Sequence, residues 1–176
     1  MRFRATDEKL TERKMRRGFS LVEILIVVAI LGILAAIVVP QFQSHSQQAK
    51  EAAAKGNLQI LRQQIEYYAA QHNGLAPGYI GANPLPGFMI PDQMLYYTSV
   101  IGQSAATKSD DFPYGPYLSK MPENSFNKRA TIRTLPNEPF PDSASGTYGW
   151  IYKPPTKEIR LDWPGTDKHN VRYYDY

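Results

Sequence analysis

Polar and apolar positions divide the chain into three unlike stretches. From Ile24 to Val39, 16 consecutive residues carry no polar side chain, and the run reaches back to Phe19 with only Ser20 and Glu23 interrupting it. As a helix rising about 1.5 Å per residue, this run spans roughly 31 Å, enough to cross a bilayer core. Beyond Pro40 the composition shifts to Ala, Gln, Glu, Lys and Leu, all good helix formers. There Leu58, Leu61, Ile65, Tyr68 and His72 recur at spacings of 3, 4, 3 and 4, the signature of one buried helix stripe. Phe42, Ala49 and Ala53 are expected to prolong it, and Asn73-Gly74 with Pro77 marks its end. The two stretches predict one continuous helix, interrupted at most at Gly32 and Pro40, with a kink expected at the proline.

The third stretch has a different texture. Thirteen of the 14 prolines fall at or after Pro77. Residues 75–112 read as a loop region with one short helical turn around Asp92–Val100. Ala130–Leu135 alternates weakly as a strand. Tyr148–Lys153 and Glu158–Trp163, separated by a Pro-Pro-Thr-Lys turn, predict a hairpin. So small an antiparallel sheet needs a cover, and the stripe Leu58–Leu61–Ile65–Tyr68 is the obvious lid. The expected fold is therefore α+β: a long N-terminal helix packed on a small C-terminal antiparallel sheet. The expected divisions are 1–18 a basic leader, 19–40 a transmembrane helix, 41–73 its amphipathic half, and 74–176 a loop and sheet domain.

Charge sharpens this organisation. The chain carries a formal charge of +4, and all of it resides in residues 1–18, where seven bases face three acids. The remainder balances 13 bases against 13 acids, which removes the electrostatic support for nucleic-acid binding by the body. The basic flank (Lys14, Arg16 and Arg17) predicts a cytoplasmic N-terminus with the rest carried across the membrane. The apolar run exceeds the 7–15 residues of a secretory signal, and Leu34-Ala35-Ala36-Ile37 is a weak cleavage match, which favours an anchor over a removed signal.

Candidate chemistry is sparse. The absence of cysteine excludes disulfides, thiolate nucleophiles and Cys-ligated metal centres. No nucleophile elbow, P-loop or dinucleotide fingerprint occurs, so no catalytic residue is assigned. His45, His72 and His169 lack partners at metal-ligand spacing; His72 is expected to end the stripe as a cation at the helix C-terminus. The tyrosines and tryptophans from Tyr148 onward could form a binding surface, but the core of a small β domain is the preferred reading. Glu23 is the one charge within the apolar run, and a carboxylate at membrane depth costs about 2.5–3.5 kcal/mol unless it is paired or protonated. It either reaches the headgroups or meets a cation. Arg16 and Arg17 are candidates, and a cut between Gly18 and Phe19 would create an ammonium four residues away.

Arg17-Gly18-Phe19-Ser20-Leu21-Val22-Glu23, with the apolar run to Pro40-Gln41-Phe42, resembles the class III signal of type IV pilins and type II secretion pseudopilins. The resemblance implies cleavage after Gly18 by a prepilin peptidase, N-methylation of Phe19, and pairing of Glu23 with an N-terminal ammonium during assembly. Gly32 and Pro40 match positions between which the helix often unwinds in filaments. Ser20 stands where Thr is commoner. Major pseudopilins usually lack the disulfide of pilins, and Tyr114–Asn127 resembles their stretch before the sheet, with Glu123-Asn124-Ser125-Phe126 replacing an Asp-Pro-(Trp/Phe) pattern. That family also binds calcium in a C-terminal loop. Asp162, Asp167 and Asp175 are the acids available, at spacings unlike an EF-hand, and solvent-exposed loop acids are the reading preferred over a calcium site.

The resemblance thus implies a non-enzymatic subunit of a homo-oligomeric periplasmic filament driving type II secretion. The implied partners are membrane lipid before assembly, the prepilin peptidase, an inner-membrane assembly platform and other pseudopilins. The alternatives are a type IV pilus or competence pilin, and, from another class, a signal-anchored periplasmic enzyme or binding domain.

Overall fold

The computed structural model describes residues 19–176, with the backbone alone for residues 40–44. The leader 1–18, with Gly18, and the side chains of Pro40 and Phe42 lie outside the described residues. The chain divides into two compact units, one ending at Ser44 and the other formed by His45–Tyr176.

Helix α1 runs Leu21–Gln71 and includes Gly32, Pro40 and Gly56. Its end follows the expected signal: Asn73 (φ 55°) and Gly74 (φ 84°) adopt left-handed conformations, and the Gly74 amide donates to the Ala69 carbonyl at 2.8 Å. This closure satisfies a carbonyl that the helix end would otherwise leave bare. Within the second unit, Leu58, Leu61, Ile65, Tyr68 and His72 are all buried, as the 3-4 spacing requires. Ala54, not Ala53, extends the stripe; Ala49 and Ala53 are exposed. A 3.6-residue turn carries Ala54, four residues before Leu58, onto the buried face and turns Ala53 away from it.

The stripe packs on a three-stranded sheet. Strands β5 (Ile132–Thr134), β6 (Trp150–Lys153) and β7 (Glu158–Leu161) are ordered β5-β6-β7. The expected hairpin is present, pairing Trp150 with Leu161 and Lys153 with Glu158. Its turn is the 3-10 segment Pro154–Thr156, followed by left-handed Lys157. The sheet is mixed rather than wholly antiparallel, because β5 pairs parallel to β6, Ile132 opposite Trp150. Residues 135–149 make that possible by returning the chain before β6 begins, a crossover that a tight hairpin turn cannot supply.

Alternation along the strands sends Trp150, Tyr152, Ile159 and Leu161 into the core shared with Ala54, Leu58, Leu61, Ile65 and Tyr68. On the other face, Ile151 joins Leu135 and Tyr174, with Phe140 and Ala144 against them. Both faces of β6 are therefore covered, and full burial of each such side chain contributes about 1.5–3 kcal/mol. The late aromatics Trp150, Tyr152, Tyr173 and Tyr174 are core, not an exposed binding surface.

The region read as a loop holds two small hairpins, β1 (Tyr79–Ile80) with β2 (Asn83–Pro84), and β3 (Tyr97–Thr98) with β4 (Ser104–Ala105). The expected helical turn is α2 (Ile90–Leu95), a few residues earlier than the pattern indicated.

Candidate functional site

In the first unit, Leu21–Val39 is a 19-residue stretch of mean hydropathy 3.1, and none of it is buried. Phe19 is 77% exposed and Leu21 82%. This stretch is long and apolar enough to cross a membrane, and nothing among the described residues covers it. Ser20 stands just before the helix, its carbonyl accepting from the amides of Glu23 (3.1 Å) and Ile24 (3.2 Å). Glu23 occupies the first turn, where the helix dipole favours a negative charge. The Ser20-x-x-Glu23 spacing is that of a capping box, a local signal that hydropathy reading overlooks. Among the described residues Glu23 has no ion-pair partner. Gly32 is exposed, and a Cβ there would meet nothing within 4 Å.

In the second unit, Asp162 and Asp167 are buried, so the reading of them as exposed loop acids is corrected, while Asp175 is exposed. The Asp162 carboxylate accepts from the Ser145 amide (2.6 Å) and hydroxyl (2.7 Å), and from the amides of Gly146 (3.0 Å) and Tyr148 (2.8 Å). Asp167 accepts from the His169 amide (2.8 Å), the Val171 amide (3.0 Å) and the Tyr176 hydroxyl (3.1 Å), with the Lys55 ammonium at 3.8 Å. Burial acts to raise the Asp167 pKa, but these amides, the hydroxyl and the ammonium outweigh it and hold the carboxyl below its ordinary range. Asp175 is engaged by the Arg172 guanidinium at 2.6 Å.

These surroundings do not fit calcium. A cation needs oxygen lone pairs, and here N–H and O–H donors already point at both carboxylates. Among the described residues no group of three His, Asp or Glu side chains is arranged to hold a metal ion.

The stretch in place of the Asp-Pro pattern ties the loop to α1. Asn57 Nδ2 donates to the Glu123 carbonyl (2.9 Å), and Ser125 Oγ donates to the Lys50 carbonyl (2.6 Å). Asn124 is fully buried; its Oδ1 accepts from the Phe126 amide (2.9 Å) and its Nδ2 donates to the Gly149 carbonyl (3.2 Å). Gln93 plays a similar part that sequence reading missed. It accepts from the Gly78 amide (2.6 Å) and donates to the carbonyls of Tyr79 (2.7 Å) and Gly102 (2.6 Å). The sequence signal was only a polar residue between buried Ile90 and Met94.

His72 corrects its expectation. It is buried, stacked on Tyr68 with ring centroids 3.8 Å apart, its Nδ1 2.8 Å from the Tyr68 carbonyl and its Nε2 3.0 Å from Thr98 Oγ1. Burial lowers its pKa, against the opposing pull of backbone bonds to Tyr68 and Ser99, so the ring is neutral at neutral pH rather than a cation.

Residues 13–39 match the family profile described as the prokaryotic N-terminal methylation motif. That motif, with the uncovered apolar helical stretch it contains, defines a membrane-anchored subunit of the prepilin type. The chain is 47% identical over 129 residues to the type II secretion system core protein G of Pseudomonas aeruginosa, covering 73% of this chain and 71% of that protein. It is 27% identical over 127 residues to the protein of the same name from Dickeya chrysanthemi, covering 72% and 65%. Identity to the type IV major pilin protein of Myxococcus xanthus is 53% over 45 residues, only 26% of this chain and 20% of that one. The chain belongs to the type II secretion system core protein G family. No solved structure matches it at a significant level.

Proposed function

We propose that the protein is cut after Gly18, methylated on Phe19, and polymerised into a periplasmic pseudopilus that drives type II protein secretion. The observation that carries this reading is the wholly exposed apolar stretch Leu21–Val39, which lies within the matched methylation motif. Before assembly, lipid covers that stretch; once it leaves the bilayer, copies of itself must do so. Stacking of identical subunits through a non-closing contact makes a fibre. Its task is mechanical: subunits added at the inner-membrane platform, alongside other pseudopilins, lengthen the filament and push cargo outward. The membrane-bound form has a cytoplasmic N-terminus and a periplasmic C-terminal domain, and the protein performs no catalysis. The secretion system is preferred over a pilus because identity to core protein G extends over 73% of the chain, against 26% for the Myxococcus pilin.

Glu23 gives the reading a specific test. Paired with a new ammonium at Phe19, of its own or a neighbouring copy, its carboxylate no longer stands alone in an apolar packing. Glu23→Ala leaves cleavage intact and lowers filament yield at least tenfold, measured by sedimentation of sheared filaments. Normal filaments in that variant contradict the pairing.

A further inference from the structure

Two tight turns in the stretch between α2 and the sheet carry opposite chemistry. The first spans Ser99–Gly102, just after Thr98 meets His72 at the end of α1. The Gly102 amide closes it on the Ser99 carbonyl at 2.9 Å, with Gly102 left-handed (φ 88°). Its central residues are Val100 and Ile101, 45% and 49% exposed. Turn positions favour Gly, Pro, Asn, Asp and Ser, whose backbones or side chains suit the reversal. β-Branched aliphatics gain nothing from such a turn and hold apolar surface in water. The turn is also braced. The Ile101 carbonyl accepts from the Gly81 amide (2.8 Å), the Gly102 carbonyl from Gln93 Nε2 (2.6 Å), and the Ser99 hydroxyl from the Gln103 amide (3.1 Å). Val100 and Ile101 are thus displayed on a fixed frame.

The second turn, Ser109–Phe112, closes through the Phe112 amide on the Ser109 carbonyl at 3.1 Å and carries Asp110 and Asp111 at its centre. Both are exposed, and neither has an ion-pair partner among the described residues, although Lys108 is close in the chain. The two turns line one open groove of about 430 Å³, together with Gln103 and Phe112, and no Lys or Arg lines it. An aliphatic pair and two unpaired carboxylates therefore face the same space.

We propose that this groove is a docking surface for a segment of another protein that presents an aliphatic side chain beside Lys or Arg. The aliphatic group covers Val100 and Ile101 while the cation meets Asp110 and Asp111, so the two turns read one chemistry together. A second copy of this chain is a poorer occupant. Its exposed Val171 stands beside Arg172, but that guanidinium is already held by Asp175 and the Asp142 carbonyl. The inference goes beyond the polymeric reading and does not depend on it.

The probe is a dye-labelled peptide, Gly-Lys-Ile-Lys-Gly, titrated with the full-length protein in uncharged detergent and followed by fluorescence anisotropy. Gly-Glu-Ile-Glu-Gly and Gly-Lys-Ser-Lys-Gly are the controls for charge and for the aliphatic group. The Lys-Ile-Lys peptide binds at least tenfold tighter than either control, and raising salt from about 0.05 to 0.5 M weakens it at least fivefold, because the carboxylates are exposed to screening. Asp110→Asn with Asp111→Asn, and Val100→Ser with Ile101→Ser, each lower its affinity at least fivefold. Both pairs keep the Tm within about 2 °C, as exposed positions should, and filament yield is unchanged. If the three peptides bind alike or none binds, or if the variants bind as the unaltered protein does, the docking surface is wrong and the polymeric reading stands. Variants that keep peptide binding but lose filaments would assign the turns to contacts between copies and overturn the proposal too.

Discussion

Glu23 and Asp162 are both carboxylates placed where charge is expensive, and their surroundings give them opposite tasks. Glu23 has no ion-pair partner among the described residues, and the proposed assembly supplies one in the Phe19 ammonium. Asp162 is already satisfied by four donors from residues 145–148, and it holds that loop against the end of β7. Asp162→Ala would leave those donors bare and cost roughly 3 kcal/mol. In thermal melts of detergent-dispersed protein this is a fall of roughly 6–12 °C. Because donors already occupy both acids, calcium or EDTA leaves the Tm within about 1 °C, whereas a site filled at 100 times its Kd would add about 2.7 kcal/mol. A rise of several degrees with calcium contradicts this account of Asp162 and Asp167.

His72 makes stability depend on pH in a fixed direction. Its folded pKa lies below the unfolded value near 6.5, so between the two the unfolded chain binds the extra proton. Stability is therefore lost as pH falls through 6.5, and the loss stops below the lowered folded value. Tyr68, Tyr114 and Tyr117 pack around the ring and offer it no anion at these pH values. His72→Gln melts with a flatter pH dependence between pH 7.5 and 5.5 than the unaltered protein. Parallel curves for the two would mean that His72 is not the titrating group.

At the level of elements, legibility followed repetition. The stripe from Leu58 to His72 spans several turns and was plain, as was the hairpin β6–β7, whose alternating residues Trp150, Tyr152, Ile159 and Leu161 all reach one core. Leu61→Ala in that core costs about 2–5 kcal/mol, observable as a lower denaturation midpoint with an unchanged slope. Strands of two residues, as in β1–β4, are too short to show a period, so residues 75–112 read only as loop. The parallel pairing of β5 was equally hidden, because it depends on how residues 135–149 return and not on any local pattern. Of the candidate site, Glu23 announced itself by interrupting the apolar run. The tasks of Asp162, Asn124 and Gln93 depend on partners distant in the chain, such as Tyr148, Gly149 and Gly102, which no spacing rule exposes.

For the whole molecule, the excess charge of the sequence belongs to the segment proposed for removal. With residues 1–18 gone, 13 bases balance 13 acids, and the apolar stretch begins at a single new ammonium. In the proposed reading anchoring, cutting and assembly share one segment, while the sheet domain is built as a conventional packed core. The cut after Gly18 is the step on which the rest depends. Mass spectrometry of the N-terminal peptide from membrane-purified protein tests it directly. The account predicts a peptide that begins at Phe19 and is one methyl group heavier than its residues; a peptide that begins at Met1, or within Leu34–Ile37, would contradict it.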